Sequence, residues 1–255
     1  MLKILLGRWR QGHRTTDWPK GPPPPLPDRF RGRPRLDLAR CPAGCRVCAE
    51  ACPTGAISLG APATVDLGRC LFCPDCAEAC PEGAITHDTD HRLAVRTRED
   101  LEVPEGEELR LATVLDHKLK RLFGRSLKLR QVSAGGCNAC EADINVLGTI
   151  GWDLGRFGIQ LVASPRHADG LLITGPVTQN MALALRKTWD AVPAPKLVIA
   201  VGACAISGGP FAGHAEQQDG VHSLPVDLYI PGCPPHPLTI LDGLLRLLGR
   251  LEHTK

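Results

Sequence analysis

The chain has 255 residues, of which 12 are cysteine, and a formal net charge of +3. Paired disulfides would suit a secreted protein, but residues 1–6 form too short an apolar run for a signal peptide, and neither a cleavage site nor a twin-arginine pair follows. No apolar run reaches the roughly 18 residues of a membrane span. We therefore expect a reducing cytoplasm, cysteines that bind metal, and membrane contact that is at most peripheral.

Residues 1–40 are basic and rich in proline. They carry ten Lys and Arg against three acids, a local net charge of +7, and six prolines lie between positions 19 and 27. One interpretation is a solvated tail, and the other is an arm that docks on a membrane surface or an acidic partner. Trp9, Trp18 and Phe30 are residues that a purely solvated tail does not need. We predict a docking arm with a semi-rigid polyproline spacer.

Residues 41–95 contain a cysteine repeat. The second copy has the spacing C-x2-C-x2-C-x3-C-P, which is the run of bacterial ferredoxins, and the first copy has one extra residue in its first gap. In two-cluster ferredoxins the fourth cysteine of each run binds the other cluster. The expected ligands of cluster 1 are Cys41, Cys45, Cys48 and Cys80, and those of cluster 2 are Cys70, Cys73, Cys76 and Cys52. Zinc is the weaker alternative, because zinc sites favour two spaced pairs.

Residues 96–125 are interpreted as a linker. Six acidic residues surround Pro104 and Gly106, and the pattern of residues 109–123 is compatible with a helix that has basic residues toward its end. A solvated connector is the expected structure, with the boundary between two domains inside it.

Residues 126–255 alternate between strand and helix patterns. The predicted strands are residues 127–132, 159–163, 170–174, 197–201 and 226–230, and the predicted helices are residues 142–150, 181–191 and 238–251. This alternation indicates an α/β domain with a flavodoxin-like parallel sheet. The expected fold is therefore such a domain preceded by a small α+β two-cluster ferredoxin domain.

Four cysteines follow predicted strands of the α/β domain. Cys137 and Cys140 come after the first strand, Cys204 follows residues 197–201, and Cys233 follows residues 226–230. In open parallel sheets, binding sites lie outside the carboxyl ends of the strands, so we expect the four thiolates in one place. Four thiolates suit an iron–sulfur cluster or a structural zinc.

Two stretches resemble known subunits. Residues 30–34 and the repeat up to about residue 95 resemble the two-cluster ferredoxin subunits of respiratory complex I and of membrane-bound NiFe hydrogenases. Residues 163–170, 174–178, 202–209 and 231–235 resemble segments of the small subunit shared by complex I, its 20 kDa type, and group 4 NiFe hydrogenases. Complex I subunits carry adjacent cysteines where this chain has Cys137-Asn138-Ala139-Cys140, and this spacing, followed by Glu141, resembles the hydrogenase branch, including formate hydrogenlyase and energy-converting types.

The resemblance implies two neighbouring subunits fused into one oxidoreductase chain that carries three 4Fe-4S clusters, the third held by Cys137, Cys140, Cys204 and Cys233. The implied partners are a NiFe large subunit with the catalytic centre, membrane subunits of an ion-translocating arm and an electron-donor protein, and no nucleic acid. The implied location is the cytoplasmic face of the inner membrane, without a transmembrane segment. The resemblance also implies that Glu141 passes protons to the partner's site, and the alternative is an acid near a helix N-terminus.

Two other functions stay open at this stage. A complex I-like NADH/quinone oxidoreductase subunit would deliver electrons to quinone without hydrogenase activity. A zinc-stabilised interaction scaffold would carry neither iron nor sulfide.

Overall fold

The structure is a computed structural model that describes residues 2–124 and 126–251. The chain begins with helix α1 (Leu2–Gln11) and continues through a proline-rich segment to the short strand β1 (Pro34–Leu36). Among the described residues, no helix has the length and apolar character that a bilayer crossing requires.

The cysteine repeat folds around two small antiparallel sheets. Its elements are α2 (Val47–Ala51), β2 (Ile57–Ser58), β3 (Thr64–Asp66), α3 (Asp75–Glu78), β4 (Ile85–His87) and β5 (Glu102–Pro104). Strand β1 pairs with β4, and β3 lies between β2 and β5. Helices α2 and α3 pack against each other, with Cys48 and Cys76 buried beside Ile57 and Ile85. The cysteine-rich region thus fits a ferredoxin-like domain.

The remaining residues form a five-stranded parallel sheet with helices on both faces. Its elements are α4 (His117–Phe123), β6 (Leu127–Ser133), α5 (Ala139–Val146), β7 (Ile159–Leu161), β8 (Gly170–Thr174), α6 (Gln179–Ala191), β9 (Leu197–Val201), α7 (Ala203–Ser207), β10 (Leu228–Ile230) and α8 (Pro237–Leu247). The order β10-β9-β8-β6-β7 is the flavodoxin-like order, which confirms the expected fold.

Short 3-10 turns complete the described chain and lie mainly between these elements. They span Leu38–Arg40, Glu99–Leu101, Leu154–Phe157, Pro165–His167 and Gly209–Phe211.

The centre of the parallel sheet forms because β8 and β9 are fully buried apolar runs, as expected for strands covered on both faces. Helix α8 covers one face with leucines that are at most 1% exposed, namely Leu238, Leu241, Leu244 and Leu245. The sheet edge that carries the strands' carboxyl ends is left open for a site.

The ferredoxin-like region and the α/β domain share a hydrophobic core. Leu67 and Leu101 of the first belong to the same buried cluster as Ile173 and Val198 of the second. Val95 and Tyr229 exchange backbone hydrogen bonds of 3.0 and 2.9 Å, and Ser207 Oγ donates to the Gly68 carbonyl at 2.9 Å. The junction is therefore packed rather than loosely linked.

Much of the segment interpreted as a linker is buried. Leu101 and Val103 pack in the shared core, while Leu115 and Phe123 pack under helix α8. Helix α4 begins only at His117, later than the predicted residue 109. The preceding residues instead bond to distant parts of the chain, for example Leu115 N–H to the Leu247 carbonyl at 3.0 Å, and this pairing replaces helical bonds.

Candidate metal centres

The structure brings Cys137, Cys140, Cys204 and Cys233 together at the carboxyl edge of the sheet. Burial is the main reason why the pKa of the Cys140 thiol is raised, and the neighbouring thiols of Cys204, Cys233 and Cys137 add to the effect. Burial likewise raises the pKa of Cys204 to about 11, with help from Cys233 and Cys137. Cys204 is buried, whereas Cys137 and Cys233 are exposed. One side of this group, called site 3 below, therefore faces outward.

Glycines shape the loops of site 3. Gly202 has φ +89°, and a Cβ atom at that position would lie 2.5 Å from Cys140 Sγ. A Cβ atom on Gly209 would lie 3.0 Å from Cys204 Sγ. Only glycine leaves this room beside the sulfurs, and only glycine adopts such positive φ values without strain. The space around the four sulfurs suits a bulky inorganic group better than a set of ordinary side chains.

The ferredoxin-like region holds two further groups of thiols. Site 1 consists of Cys41, Cys45, Cys48 and Cys80. Burial raises the pKa of Cys41, and the charges of Cys45 and Cys80 add to this effect. Burial also raises the pKa of Cys48, with further contributions from the charges of Cys41 and Cys80. Cys80 thus lies beside the first triplet, although it belongs to the second copy of the repeat.

Site 2 consists of Cys70, Cys73, Cys76 and Cys52 and shows the reciprocal arrangement. Burial raises the pKa of Cys70 to about 12 and that of Cys76 to about 11, and the charges of Cys52 and Cys73 contribute to both values. Cys52 of the first copy thus lies beside the second triplet. The structure therefore groups the eight cysteines as the cross-ligation rule predicts. Their binding of metal stays a prediction.

Backbone N–H groups point at several of these sulfurs. Ala56 N lies 3.2 Å from Cys52 Sγ, Ala84 N lies 3.3 Å from Cys80 Sγ, and Phe72 N lies 3.3 Å from Cys70 Sγ. Sequence reasoning missed these donors. The first two could have been found, since Ala56 and Ala84 each follow the fourth cysteine of their copy by four residues. Such bonds favour anionic sulfur and tune the reduction potential of an iron–sulfur cluster.

The donor set fits iron–sulfur clusters. Each site offers four thiols, and a bound metal cation lowers the pKa of a buried thiol so that the thiolate becomes its ligand. Across residues 2–124 and 126–251, no three His, Cys, Asp or Glu side chains converge closely enough to hold a single metal ion.

Sites 2 and 3 approach each other across the junction. The charge of Cys73 in site 2 raises the pKa of Cys233 in site 3, after burial and Cys137. Both cysteines line a cavity of about 550 Å³ that Phe30 and Phe72 also border. Arg31 Nε donates to the Phe72 carbonyl at 2.7 Å and so holds this part of the N-terminal segment in place. Site 2 is therefore the member of the ferredoxin pair that lies next to site 3.

Glu141 lies behind site 3 and is buried. Its Oε1 atom accepts hydrogen bonds of 2.6 Å from Ser133 Oγ and from Thr174 Oγ1. These hydroxyls, at the ends of β6 and β8, fix the carboxyl group in one orientation. Sequence alone identified Glu141, but not the two hydroxyls that hold it.

Replacement of Gly202 by alanine is expected to remove about four iron atoms per chain, because the new methyl group displaces Cys140 Sγ. Gly213→Ala is the matched control, since Gly213 has a similar positive φ of +81° but no atom within 4 Å of the added carbon. Iron analysis and circular dichroism of both variants would check this. A Gly202→Ala protein with the iron content of the wild type would contradict the assignment of site 3.

Comparisons with known proteins agree with this geometry. A family model described as NADH ubiquinone oxidoreductase, 20 Kd subunit, matches residues 137–247. The chain is 41% identical over 135 residues to the probable membrane-bound hydrogenase subunit mbhJ of Pyrococcus furiosus. This alignment covers 52% of this chain and 81% of that protein.

Two longer relatives match as well. Formate hydrogenlyase subunit 7 of Escherichia coli is 41% identical over 161 residues, and the alignment covers 63% of each chain. An NADH-quinone oxidoreductase subunit of Nocardioides sp. is 45% identical over 121 residues, which is 47% of this chain and 66% of that protein. The chain thus matches slightly less than two thirds of the length of these two relatives.

Proposed function

This chain belongs to the family of the NADH ubiquinone oxidoreductase 20 Kd subunit, a family of oxidoreductase subunits, and we propose that it is the electron-transfer small subunit of a group 4 NiFe hydrogenase. The complex would be of the formate hydrogenlyase or energy-converting type. The observation that carries the choice is the spacing of Cys137 and Cys140, followed directly by Glu141, because complex I subunits resemble this chain less well at that point.

The twelve cysteines would hold three 4Fe-4S clusters, which supply one-electron transfer when bound. The chain's own part is to position and insulate these sites. The core shared by the two regions fixes the distance between sites 2 and 3. Apolar residues packed around Cys48 and Cys76 exclude water from these two sulfurs, which helps to set reduction potentials.

The outward side of site 3 would face a NiFe large subunit, since Cys137 and Cys233 are exposed there. An electron-donor protein would meet the ferredoxin-like region, and membrane subunits of an ion-translocating arm would complete the complex. The chain would lie at the cytoplasmic face of the inner membrane as a peripheral subunit.

Analysis of nickel and iron in the complex purified through this chain would test the proposal, together with hydrogen-dependent dye reduction by the same sample. We expect about twelve iron atoms per chain, four for each cluster, along with nickel and activity.

A complex I-like oxidoreductase that reduces quinone is the second candidate, favoured by the 45% identity to an NADH-quinone oxidoreductase subunit. The same iron content without nickel or hydrogen activity would support this candidate and overturn the first. Zinc in place of iron would overturn both.

Glu141 would hold a proton and pass it to or from the partner's active centre. Glu141→Gln keeps the shape and the oxygen that Ser133 and Thr174 bond, but it cannot ionise. We expect hydrogen-dependent activity to fall about a hundredfold, the loss usual for a group that transfers protons, with an altered pH profile and unchanged iron and nickel.

Asp143→Asn is the control, because Asp143 is an acid on the same helix that is half-buried, whereas Glu141 is buried. Full activity of Glu141→Gln with the pH profile of the wild type would assign Glu141 a structural role instead.

A further inference from the structure

Helix α1 has no residue buried against the rest of the described chain. Leu2, Ile4 and Trp9 are 72%, 75% and 81% exposed, although an isolated apolar helix of this length gains nothing from facing water. Basic side chains lie among these residues, and no acid occurs before Asp17. The helix therefore presents an exposed apolar surface with positive charge alone around it.

Four of the five large apolar residues of α1 share one side of the helix, and Ile4 lies on the opposite side. Leu2, Leu5, Leu6 and Trp9 follow the spacing i, i+3, i+4, i+7, which places them on one face of a helix. With about 100° between successive residues, Lys3 and Arg10 border this face on one side and Arg8 borders it on the other. A helix with an apolar face, cationic borders and a tryptophan is the type that lies in the plane of a membrane surface.

The segment after α1 fixes the helix to the α/β domain. Thr16 N–H donates to the Gly151 carbonyl at 2.9 Å, and Thr15 Oγ1 donates to the Ile150 carbonyl at 2.9 Å. Trp18 is buried in the core under helix α8, and its carbonyl accepts a hydrogen bond of 2.6 Å from Arg156. Ile150, next to this attachment, is 69% exposed. The chain directly after α1 is thus attached to the domain that carries site 3, and the first of these contacts lies four residues beyond the end of the helix at Gln11.

We propose that α1 lies in the headgroup layer of a bilayer that contains anionic lipid and thereby docks the α/β domain to the membrane. Leu2, Leu5, Leu6 and Trp9 would enter the apolar boundary, while the bordering cations contact lipid phosphates. Two features favour a bilayer over an apolar protein groove or a second copy. Cations border the apolar face on both sides. Helix α1 contains no acidic residue that could pair with these cations if two copies of the helix met face to face. The proposal deepens the proposed function, because it names the element that holds the subunit at the membrane.

Vesicle flotation of the full chain, loaded with iron and sulfide under anaerobic conditions, tests this docking. The probes are vesicles of phosphatidylcholine alone and vesicles in which about a third of the lipid is phosphatidylglycerol. We expect binding to the anionic vesicles that weakens as salt is raised, and little binding to the neutral ones. Each basic residue near an anionic surface strengthens binding about fivefold.

Two variants separate the contributions. Leu5→Glu places a negative charge within the apolar face, about halfway along the helix, and should weaken binding to anionic vesicles by more than about tenfold. Combined Arg8→Gln and Arg10→Gln should remove most of the preference for anionic lipid. Leu183→Glu is the matched control, because it makes the same change at a leucine that is 64% exposed on helix α6 instead of α1, and it should leave binding nearly unchanged. Iron content equal to that of the wild type shows that each variant is folded.

Binding that survives Leu5→Glu, or no binding to either vesicle, would overturn the proposal. Self-association of the chain that Leu5→Glu abolishes, without vesicle binding, would assign the face to a second copy instead. The assay needs neither nickel nor hydrogen, so its result is independent of the hydrogenase test. A nickel-free complex whose chain binds vesicles would overturn the proposed function but not the docking. An active hydrogenase whose chain does not bind vesicles would overturn the docking but not the proposed function.

Discussion

Replacement of Cys204 by serine is expected to lower the iron content from about twelve to about eight atoms per chain and to abolish hydrogen-dependent activity. Cys204 is the buried member of site 3, and serine oxygen is a poor substitute for a thiolate in an iron–sulfur cluster. The sites of the ferredoxin-like region should remain loaded, because their cysteines lie on other loops. Iron and sulfide analysis, together with electron paramagnetic resonance of the reduced protein, would measure the loss.

Ala212→Ser is the control for the Cys204 variant, since position 212 is exposed and lies in the loop that follows. This variant should keep its full iron content and activity. Twelve iron atoms per chain in Cys204→Ser would contradict the assignment of Cys204 as a ligand, and loss of all iron would show that site 3 is needed for the whole chain to fold.

The single substitutions Cys52→Ser and Cys80→Ser are expected to empty different sites, each with the loss of about four iron atoms per chain. Because Cys52 lies beside Cys70 and Cys76, its replacement should empty site 2, which is the neighbour of site 3. Cys80 lies beside Cys41 and Cys48, so its replacement should empty site 1. Activity should therefore suffer more from Cys52→Ser when electrons enter at the ferredoxin-like region.

Electron paramagnetic resonance distinguishes the two variants, which serve as controls for each other. The magnetic interaction between the cluster of site 3 and its neighbour should disappear in Cys52→Ser and persist in Cys80→Ser. The reverse outcome would show that each run of the repeat binds its own cluster without exchange of the fourth cysteine.

The strands at the centre of the parallel sheet were predictable from local sequence. Residues 170–174 and 197–201 form strands within the predicted bounds, because short, mainly apolar runs between glycine-rich or polar turns are compatible with little else. Helix prediction was less accurate where distant partners compete for the backbone. Residues 109–116 are not helical, since they bond to Ala94 and Leu247 instead of to one another.

Residues 1–40 show the same limit of local reasoning. Composition indicated a basic arm, but not which parts of it are held. Arg33 is 3% exposed and donates to Glu108 at 3.0 Å, and β1 adds a strand to the ferredoxin-like region. Trp18 instead joins the α/β core. Helix α1, by contrast, buries none of its residues.

The sequence by itself determined the number and type of thiols, the glycines beside them and the alternation of strands and helices, because these depend on residues within a few positions of one another. Tertiary structure decided the rest. The approach of Cys73 to Cys233, the core that joins the two regions, and the hydroxyls on Glu141 depend on segments that are far apart in the chain. Such contacts form only when separate elements share one hydrophobic core, and no local spacing encodes them.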